Sequence, residues 1–273
     1  MSKLTSIKKH IHSVSEINNI FNAMKSLSVV ELSKAMSLLK NYLEMLNVYN
    51  NVLCDFSSFY PQKDTRSVNF DKIYVLVGSE RGFCGGFNEK IIKFYQGKET
   101  IDKTSKCIII GRKLEGKLLD QLSPEEVIES LSVVEDLPRI MNKMKELMDR
   151  YLAKEYIFIT NKQSDGEFKT VQTKISRDFD NKNLLVENFL PPELYLSPHE
   201  FFENVIEQYI DVKIANVLIE SFYTENKERL RHMESASDKI ETKLSQLNLK
   251  KNSLRQFEIT QELENILLNA VTR

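Results

Sequence analysis

Apolar residues near the start of the chain recur in steps of three and four. They run through Ile7, Ile11, Val14, Ile17, Phe21, Met24 and Leu27, then from Ala35 through Leu38, Tyr42, Met45, Tyr49, Val52 and Phe56. That spacing draws one stripe along an α-helix. The end of the chain repeats it, from Phe202, Val205, Tyr209, Val212, Ile219 and Phe222 to Met233, Ala236, Ile240, Leu244, Leu247, Leu254 and Phe257. All 8 Gly and all 6 Pro fall between Pro61 and Pro198, so both ends lack the residues that break helices. Three parts are expected: an N-terminal helix over 1–60, an α/β domain over 61–198 and a C-terminal helix over 199–273. Ser197 before Pro198 is the expected N-cap of the last helix.

Helices of that length extend roughly 90 and 110 Å at ~1.5 Å per residue. A compact chain of this size has a radius of gyration of only ~19 Å. Each stripe therefore needs an equally long partner, and the spacing predicts an antiparallel coiled coil made from the two ends. Several shorter helices joined into a bundle without Gly or Pro carry the same spacing. Asn216, Asn226, Lys243 and Lys251 stand where the period asks for apolar residues. A helix that passes through changing surroundings, or must not be gripped tightly, suits such interruptions; so does ordinary tolerance in a long helix.

The middle changes period. Lys72–Gly78 and Cys107–Gly111 are short β-branched runs ending in Gly, as buried strands are, and Tyr156–Thr160 is a third. Phe168–Phe179 alternates, and Asp165-Gly166 before it predicts a hairpin. Helical spacing appears over Glu89–Gln96, Lys113–Leu122 and Leu137–Leu152. Strands alternating with helices imply a small, mainly parallel sheet. The fold class is thus mixed α+β and α/β: a long antiparallel coiled coil of N- and C-terminal helices with an inserted Rossmann-like α/β domain.

Composition narrows the function. Hydrophobic residues at 41% and charged residues at 28% exclude wholesale disorder. Lys+Arg 38 against Asp+Glu 39 leaves no global basic field for gripping nucleic acid. No apolar run approaches the ~18 residues of a membrane-spanning helix, and a signal-type stretch is not expected at the N-terminus. Cys54, Cys84 and Cys107 are widely spaced and lack metal-ligand spacing, which fits a reducing, cytosolic setting.

The obvious chemical candidate is the glycine-rich stretch Gly78-Ser-Glu-Arg-Gly82-Phe-Cys-Gly85-Gly86-Phe-Asn88. Its spacing is neither G-x-G-x-x-G nor G-x-x-x-x-G-K-[ST], and no Lys follows where it would reach a phosphate. A tight turn packing a helix onto the sheet is the better reading, with a dinucleotide site as the alternative. A Cys84 nucleophile would need a neighbouring His, but His10, His12, His199 and His232 all lie in the helical ends. His10 and His12 are two apart and face different ways on a helix, so they do not form a metal pair. Glu125-Glu126 reads as a solvated helix start.

Two segments resemble the F-type ATP synthase gamma subunit family. Glu80-Arg81-Gly82-Phe83-Cys84-Gly85-Gly86-Phe87-Asn88 is similar to its D-R-G-L-C-G-G-x-N loop, and Arg255-Gln256-Phe-Glu-Ile259-Thr260-Gln-Glu262-Leu263 to its R-Q-x-x-I-T-x-E-[IL]. Arg229-Leu-Arg-His-Met233-Glu-Ser-Ala236-Ser-Asp238 is similar to R-M-x-A-M-x-x-A-T-D, and Ile20-Phe-Asn-Ala23-Met24-Lys25 to I-T-K-A-M-K. The resemblance implies a non-catalytic rotating shaft inside a ring of alpha and beta subunits, which couples rotation to the conformations of beta. It implies that this chain binds no cofactor, with ATP, ADP and Mg held by the partner subunits. Met24 and Lys25 would face the lever regions of beta, and Arg255, Gln256, Thr260 and Glu262 its catch loops. Asn265 to Arg273, with Ile266, Leu267, Leu268 and Val271, would sit in an apolar bearing. Arg81, Gly82, Cys84, Gly85, Gly86 and Asn88 would form a structural glycine loop. Further implied partners are an epsilon-like subunit and a membrane ring or other foot partner, in a complex peripheral to the inner face of the cell membrane.

Departures from the family pattern include Ser15, Asn19, Asn22 and Glu31 in place of basic residues. Ser26-Leu-Ser-Val-Val30 replaces an alanine-rich stretch, and Asn265 replaces an acid. They leave open a paralogous F-type-like motor that drives another process such as surface motility. From other classes, a non-rotary coiled-coil tether and a small nucleotide-binding enzyme with helical arms remain as rivals.

Overall fold

The computed structural model describes residues 3–60, 68–97, 106–118, 124–164, 166–177 and 190–271. Helix α1 runs Lys3–Phe59 and helix α5 Pro198–Val271. Between them lie β1 (Phe70–Val77), α2 (Phe87–Gln96), β2 (Lys106–Ile110), α3 (Arg112–Leu118) and β3 (Glu126–Ile128). These are followed by α4 (Leu137–Arg150), β4 (Ala153–Ser164) and β5 (Glu167–Ser176). The chain divides into two compact units, residues 30–228 and residues 1–29 with 229–273.

The larger unit is built on a five-stranded sheet in the order β3-β2-β1-β4-β5. β3, β2, β1 and β4 are parallel, and β5 returns antiparallel beside β4. Ser164 pairs with Glu167, so the hairpin has a two-residue loop, and its Gly166 takes φ 85°. Asp165 of that turn, Leu122 and Phe179 lie outside the described residues. The first two crossovers move to one side of β1 and the third places β4 on its other side. The carboxyl ends of β1 and β4 are therefore the topological switch point.

The strands read as continuous apolar runs because both faces are covered. Ile73, Val75, Val77, Ile108, Ile110 and Phe158 point into one core with α1, α4 and α5. Tyr74, Leu76, Ile109, Ile157 and Ile159 point into a second core with α2 and α3. In this unit α1 and α5 run antiparallel: Tyr49 Oη donates to Gln208 Oε1 at 2.7 Å, and the Phe56 ring packs 5.0 Å from that of Phe201. Ser197 caps α5 in a reciprocal box. Glu200 N donates to Ser197 Oγ at 3.3 Å, and Ser197 N donates to Glu200 Oε2 at 3.2 Å.

In the smaller unit, the half-buried or buried positions of α1 step by three and four through Leu4, Ile7, Ile11, Val14, Asn18, Phe21, Lys25 and Ser28. Those of α5 step likewise through Met233, Ser237, Ile240, Leu244, Leu247, Lys251 and Leu254. This is a heptad seam, and at one rung Ser237 Oγ donates to Asn18 Oδ1 at 3.0 Å. The expected stripe is corrected here. Ile17, Leu27 and Phe257 are exposed, and the polar Asn18, Lys25 and Ser28 hold the seam in their place. The stripe followed apolar residues at consecutive steps of three, so at Ile17, Leu27 and Phe257 it falls one residue short of the seam positions Asn18, Ser28 and Glu258. Lys243 is exposed beside Leu244 and does not interrupt the seam. Lys251 does, donating to Asn248 Oδ1 at 3.1 Å.

One further expectation is corrected. Glu126 opens a strand, β3, paired in parallel with β2, and Glu125 bonds Lys106; neither starts a helix. A 3₁₀ turn at Val134–Asp136 leads into α4, which starts at Leu137 as the helical spacing expects.

Burial pushes the pKa of the Cys107 thiol up to about 12, and the pKa of the neighbouring Tyr95 phenol also rises, chiefly by burial. The folded chain thus holds a proton that an unfolded Cys releases at about 8.5, so stability is full below that pH and falls as pH rises toward the folded value. The expected loss is about 1.4 kcal/mol per pH unit above about 9, with Tyr95 adding to it above about 10. Urea denaturation from about pH 8 to about pH 11 checks it, because Cys107→Ala removes the thiol share and makes the decline shallower.

Candidate functional site

The glycine-rich loop occupies the switch point, where open α/β sheets bind ligands. Its polar groups are spent on one another. Ser79 N donates to Asn88 Oδ1 at 3.0 Å, and Asn88 Nδ2 donates back to Ser79 Oγ at 2.8 Å. Cys84 Sγ donates to the same Oγ at 3.3 Å; Ser79, Cys84 and Asn88 are all buried. From β4, Asn161 Nδ2 donates to Phe87 O at 2.8 Å, while Thr170 Oγ1 of β5 donates to Asn161 Oδ1 at 2.7 Å. The Asn161 side chain therefore ties β4 to the start of α2.

Two backbone features explain the glycines. A Cβ on Gly78 would lie 2.4 Å from Leu114 Cβ and 2.8 Å from Asn88 Oδ1, so only Gly lets α3 and the loop close over the end of β1. Gly85 has φ 57°, the left-handed region. Gly82 and Gly86 carry no such demand, since a Cβ at either meets nothing within 4 Å. Phe83 also has positive φ, 65°, and its side chain is 59% exposed at the tip. Glu89 in the first turn of α2 sets a carboxylate near the helix start that an anion would need. The arrangement is chemically a clamp between strand ends and helix starts.

Glu80 belongs to the same clamp. Its Oε2 accepts Ser130 N at 2.9 Å and Arg112 N at 3.2 Å, tying the ends of β1, β2 and β3 together. Sequence reasoning left Ser79 and Glu80 out of the structural loop. The available signal was the pair of small and acidic residues directly after a strand-ending Gly, a setting where backbone N–H groups need acceptors. Arg81 and Gly82 are half-buried, and Gly85 and Gly86 exposed.

The other candidate residues lie on the helical ends. Met24 and Lys25 are both half-buried on α1. Met24 continues an off-seam apolar row with Ile17, Ile20 and Leu27, and Ile20 is 59% exposed. On α5, Arg255, Gln256, Thr260 and Glu262 are exposed, with Thr260 Oγ1 donating to Gln256 O at 3.0 Å. From Ile259 to Leu267 every residue is exposed. Leu263, Ile266 and Leu267 stand out from the helix, Leu267 at 64%, with no intrachain cover among the described residues. The side chains of Leu268 and Val271, and Arg273, lie outside the described residues. The two segments offer apolar and polar contact groups around a helix, and among the described residues no group of three or more His, Cys, Asp or Glu could hold a metal. No described helix is long and apolar enough to cross a membrane.

Comparison with known proteins gives consistent matches along nearly the whole chain. A family model described as ATP synthase matches residues 3–270. The ATP synthase gamma chain of Lachnoclostridium phytofermentans is 26% identical over 295 residues, covering 99% of each chain. That of Clostridium botulinum strain 657 is 29% identical, covering 97% of this chain and 96% of its own. Among solved structures, the rotor of Euglena gracilis mitochondrial ATP synthase aligns with TM-score 0.65 at 13% identity, over 94% of this chain and 98% of that one. The central stalk and c-ring structure of Tetrahymena thermophila mitochondrial ATP synthase aligns with TM-score 0.55 at 16% identity, over 80% and 99%. At these identities the structural matches speak for the fold.

The clamp predicts a sharp asymmetry between two small substitutions. Gly78→Ala should cost about 1–3 kcal/mol by overpacking against Leu114 and Asn88. Cys84→Ala, which removes only a weak thiol donor, should cost less than about 1.5 kcal/mol. Equal costs in urea denaturation would contradict the close packing at Gly78.

Proposed function

The chain belongs to the ATP synthase gamma family, and on that footing we propose that it works as the central rotary shaft of an F-type complex, seated in a ring of alpha and beta subunits. The observation that carries this reading is the end of α5, where Arg255, Gln256 and the stretch from Ile259 to Leu267 present exposed side chains. Together with the off-seam row of Ile17, Ile20, Met24 and Leu27, it gives a surface whose chemistry differs from one side to another.

A shaft changes its neighbours only through contacts that differ between their conformations. Driving a two-state neighbour from one side of its equilibrium to the other takes roughly 5.5 kcal/mol of such difference. At ~25 cal/mol per Å2, that corresponds to about 220 Å2 of apolar surface covered in one state and bare in the other. A few of the exposed Ile, Leu and Phe side chains supply that area. Arg255 and Gln256 add directional donors that lock one orientation at a time, whereas Ile266 and Leu267 allow sliding because dispersion and burial have no preferred direction.

In this reading the chain itself is non-catalytic and holds no cofactor. The inward-facing bonds of the glycine loop support that, since they leave the switch point filled by the chain's own side chains. ATP, ADP and Mg are bound by the partner subunits. An epsilon-like subunit and a membrane ring or other foot partner complete the assembly, which lies peripheral to the inner face of the cell membrane.

Purified alone, the chain should hydrolyse no ATP, and mixed with alpha and beta subunits from the same organism it should restore cooperative hydrolysis. Arg255→Ala combined with Gln256→Ala should slow that turnover by about fivefold or more while leaving the helical circular dichroism unchanged. Turnover at the wild-type rate would remove these two residues from the coupling contacts. Hydrolysis by the chain alone would overturn the reading as a whole.

A further inference from the structure

Glu31 is one of the departures from the family pattern, an acid where basic residues are usual, and the structure shows where its charge goes. Its side chain is buried within the larger unit, at 3% exposure. Oε2 accepts Val134 N at 2.9 Å, and Oε1 accepts Lys34 Nζ at 3.2 Å. Lys34 Nζ also donates to Glu135 Oε1 at 2.7 Å. Both Val134 and Glu135 sit in the 3₁₀ turn that opens α4, so two residues of α1 one turn apart hold two consecutive residues of that turn.

The turn is itself held fast. Ser130 N donates to Glu80 at 2.9 Å, Ser132 N and Val133 N donate to Asp136 Oδ2 at 3.0 and 3.2 Å, and Val134 N goes to Glu31. Carboxylates from the glycine loop, from the turn and from α1 thus take the backbone donors of a single short segment. Arg139 anchors the far side through Glu129 at 2.8 Å.

The rest of α1 in this unit meets the sheet and α5 through Ala35, Leu38, Leu39, Tyr42 and Leu46. Such packing resists separation, but it is non-directional, and a roll or slide of the helix trades one apolar contact for another. A hydrogen bond to a buried carboxylate is directional and short, and a shift of one helical residue, ~1.5 Å, breaks it.

We propose that Glu31, with Lys34, is a clasp that fixes the axial and rotational setting of α1 against the α/β layer, so that load passing between them is carried through Val134 and Glu135. Glu31 is a positioning residue in this sense. The mechanical half of the proposal rests on the rotary reading above; the clasp itself does not.

The test has two arms on the full chain. In the first, amide exchange at Val134 is measured in wild type, Glu31→Ala and Glu31→Gln. Glu31→Ala should speed exchange about tenfold or more, while Glu31→Gln, whose amide oxygen still accepts the N–H, should restore most of the protection. In the second, each chain is assembled with alpha and beta subunits, a bead is fixed to the α/β part, and its angular fluctuation is recorded in ATP-waiting pauses. Losing the Glu31 tie should raise the variance about twofold in Glu31→Ala, with rescue by Glu31→Gln and unloaded ATP turnover unchanged. A purely stabilising side chain would lower the melting temperature without this change in stiffness. Unaltered exchange at Val134 overturns the clasp. Faster exchange with unaltered fluctuation overturns its role in carrying load. A wild-type chain that neither rotates nor stimulates turnover overturns the rotary reading and the load-carrying role with it, leaving the exchange result to decide the clasp.

Discussion

Most of the stability of a long helix in water comes from cover for its apolar stripe, and that need orders both units of this chain. In the larger unit, Phe202, Ile206, Ile210, Ile214 and Leu218 of α5 share one core with the sheet, α4 and α1. In the smaller unit the cover is the heptad seam, with no sheet behind it and few fully buried residues besides Met233, Ser28 and Ser237. The first arrangement gives a body with a preferred packing. The second gives a pairing whose register leans on polar rungs such as Asn18 with Ser237, a use of polarity that costs stability and limits alternatives.

The sheet makes the same point from the other side. Its strands are apolar on both faces, so the glycine loop, α2 and α3 must close tightly over the face that the long helices leave free. Gly78 is where the closure is tightest, and Ser79, Asn88 and Asn161 satisfy the backbone and one another in the gap that remains. A loop with the look of a ligand cradle serves in this chain as a fastening, because Ser79 N and the Asn88 and Asn161 amides bond within the chain.

Much of this was legible in the sequence, and the errors share a cause. The breaker-free ends, the buried strands at Lys72–Gly78 and Cys107–Gly111, the Asp165-Gly166 hairpin and the Ser197 cap all follow from strong local signals. Ile17, Leu27 and Phe257 went to the wrong face because the stripe followed hydropathy one residue short of the seam, where the polar residues Asn18, Lys25 and Ser28 carry no apolar signal. β3 was missed because three residues at a sheet edge, begun by a glutamate, offer too little pattern. Glu31 stood out only as a departure from the family pattern; its carboxylate serves a backbone N–H 103 residues away, which no local pattern encodes.

The uncovered stretch of α5 and the off-seam row of α1 also bear on the chain's life before assembly. Contiguous apolar side chains in water attract any similar surface, including those of sister copies still being translated. Copies left without a covering partner would be drawn to one another, so synthesis matched to that of whatever covers the helix is a demand written into its surface.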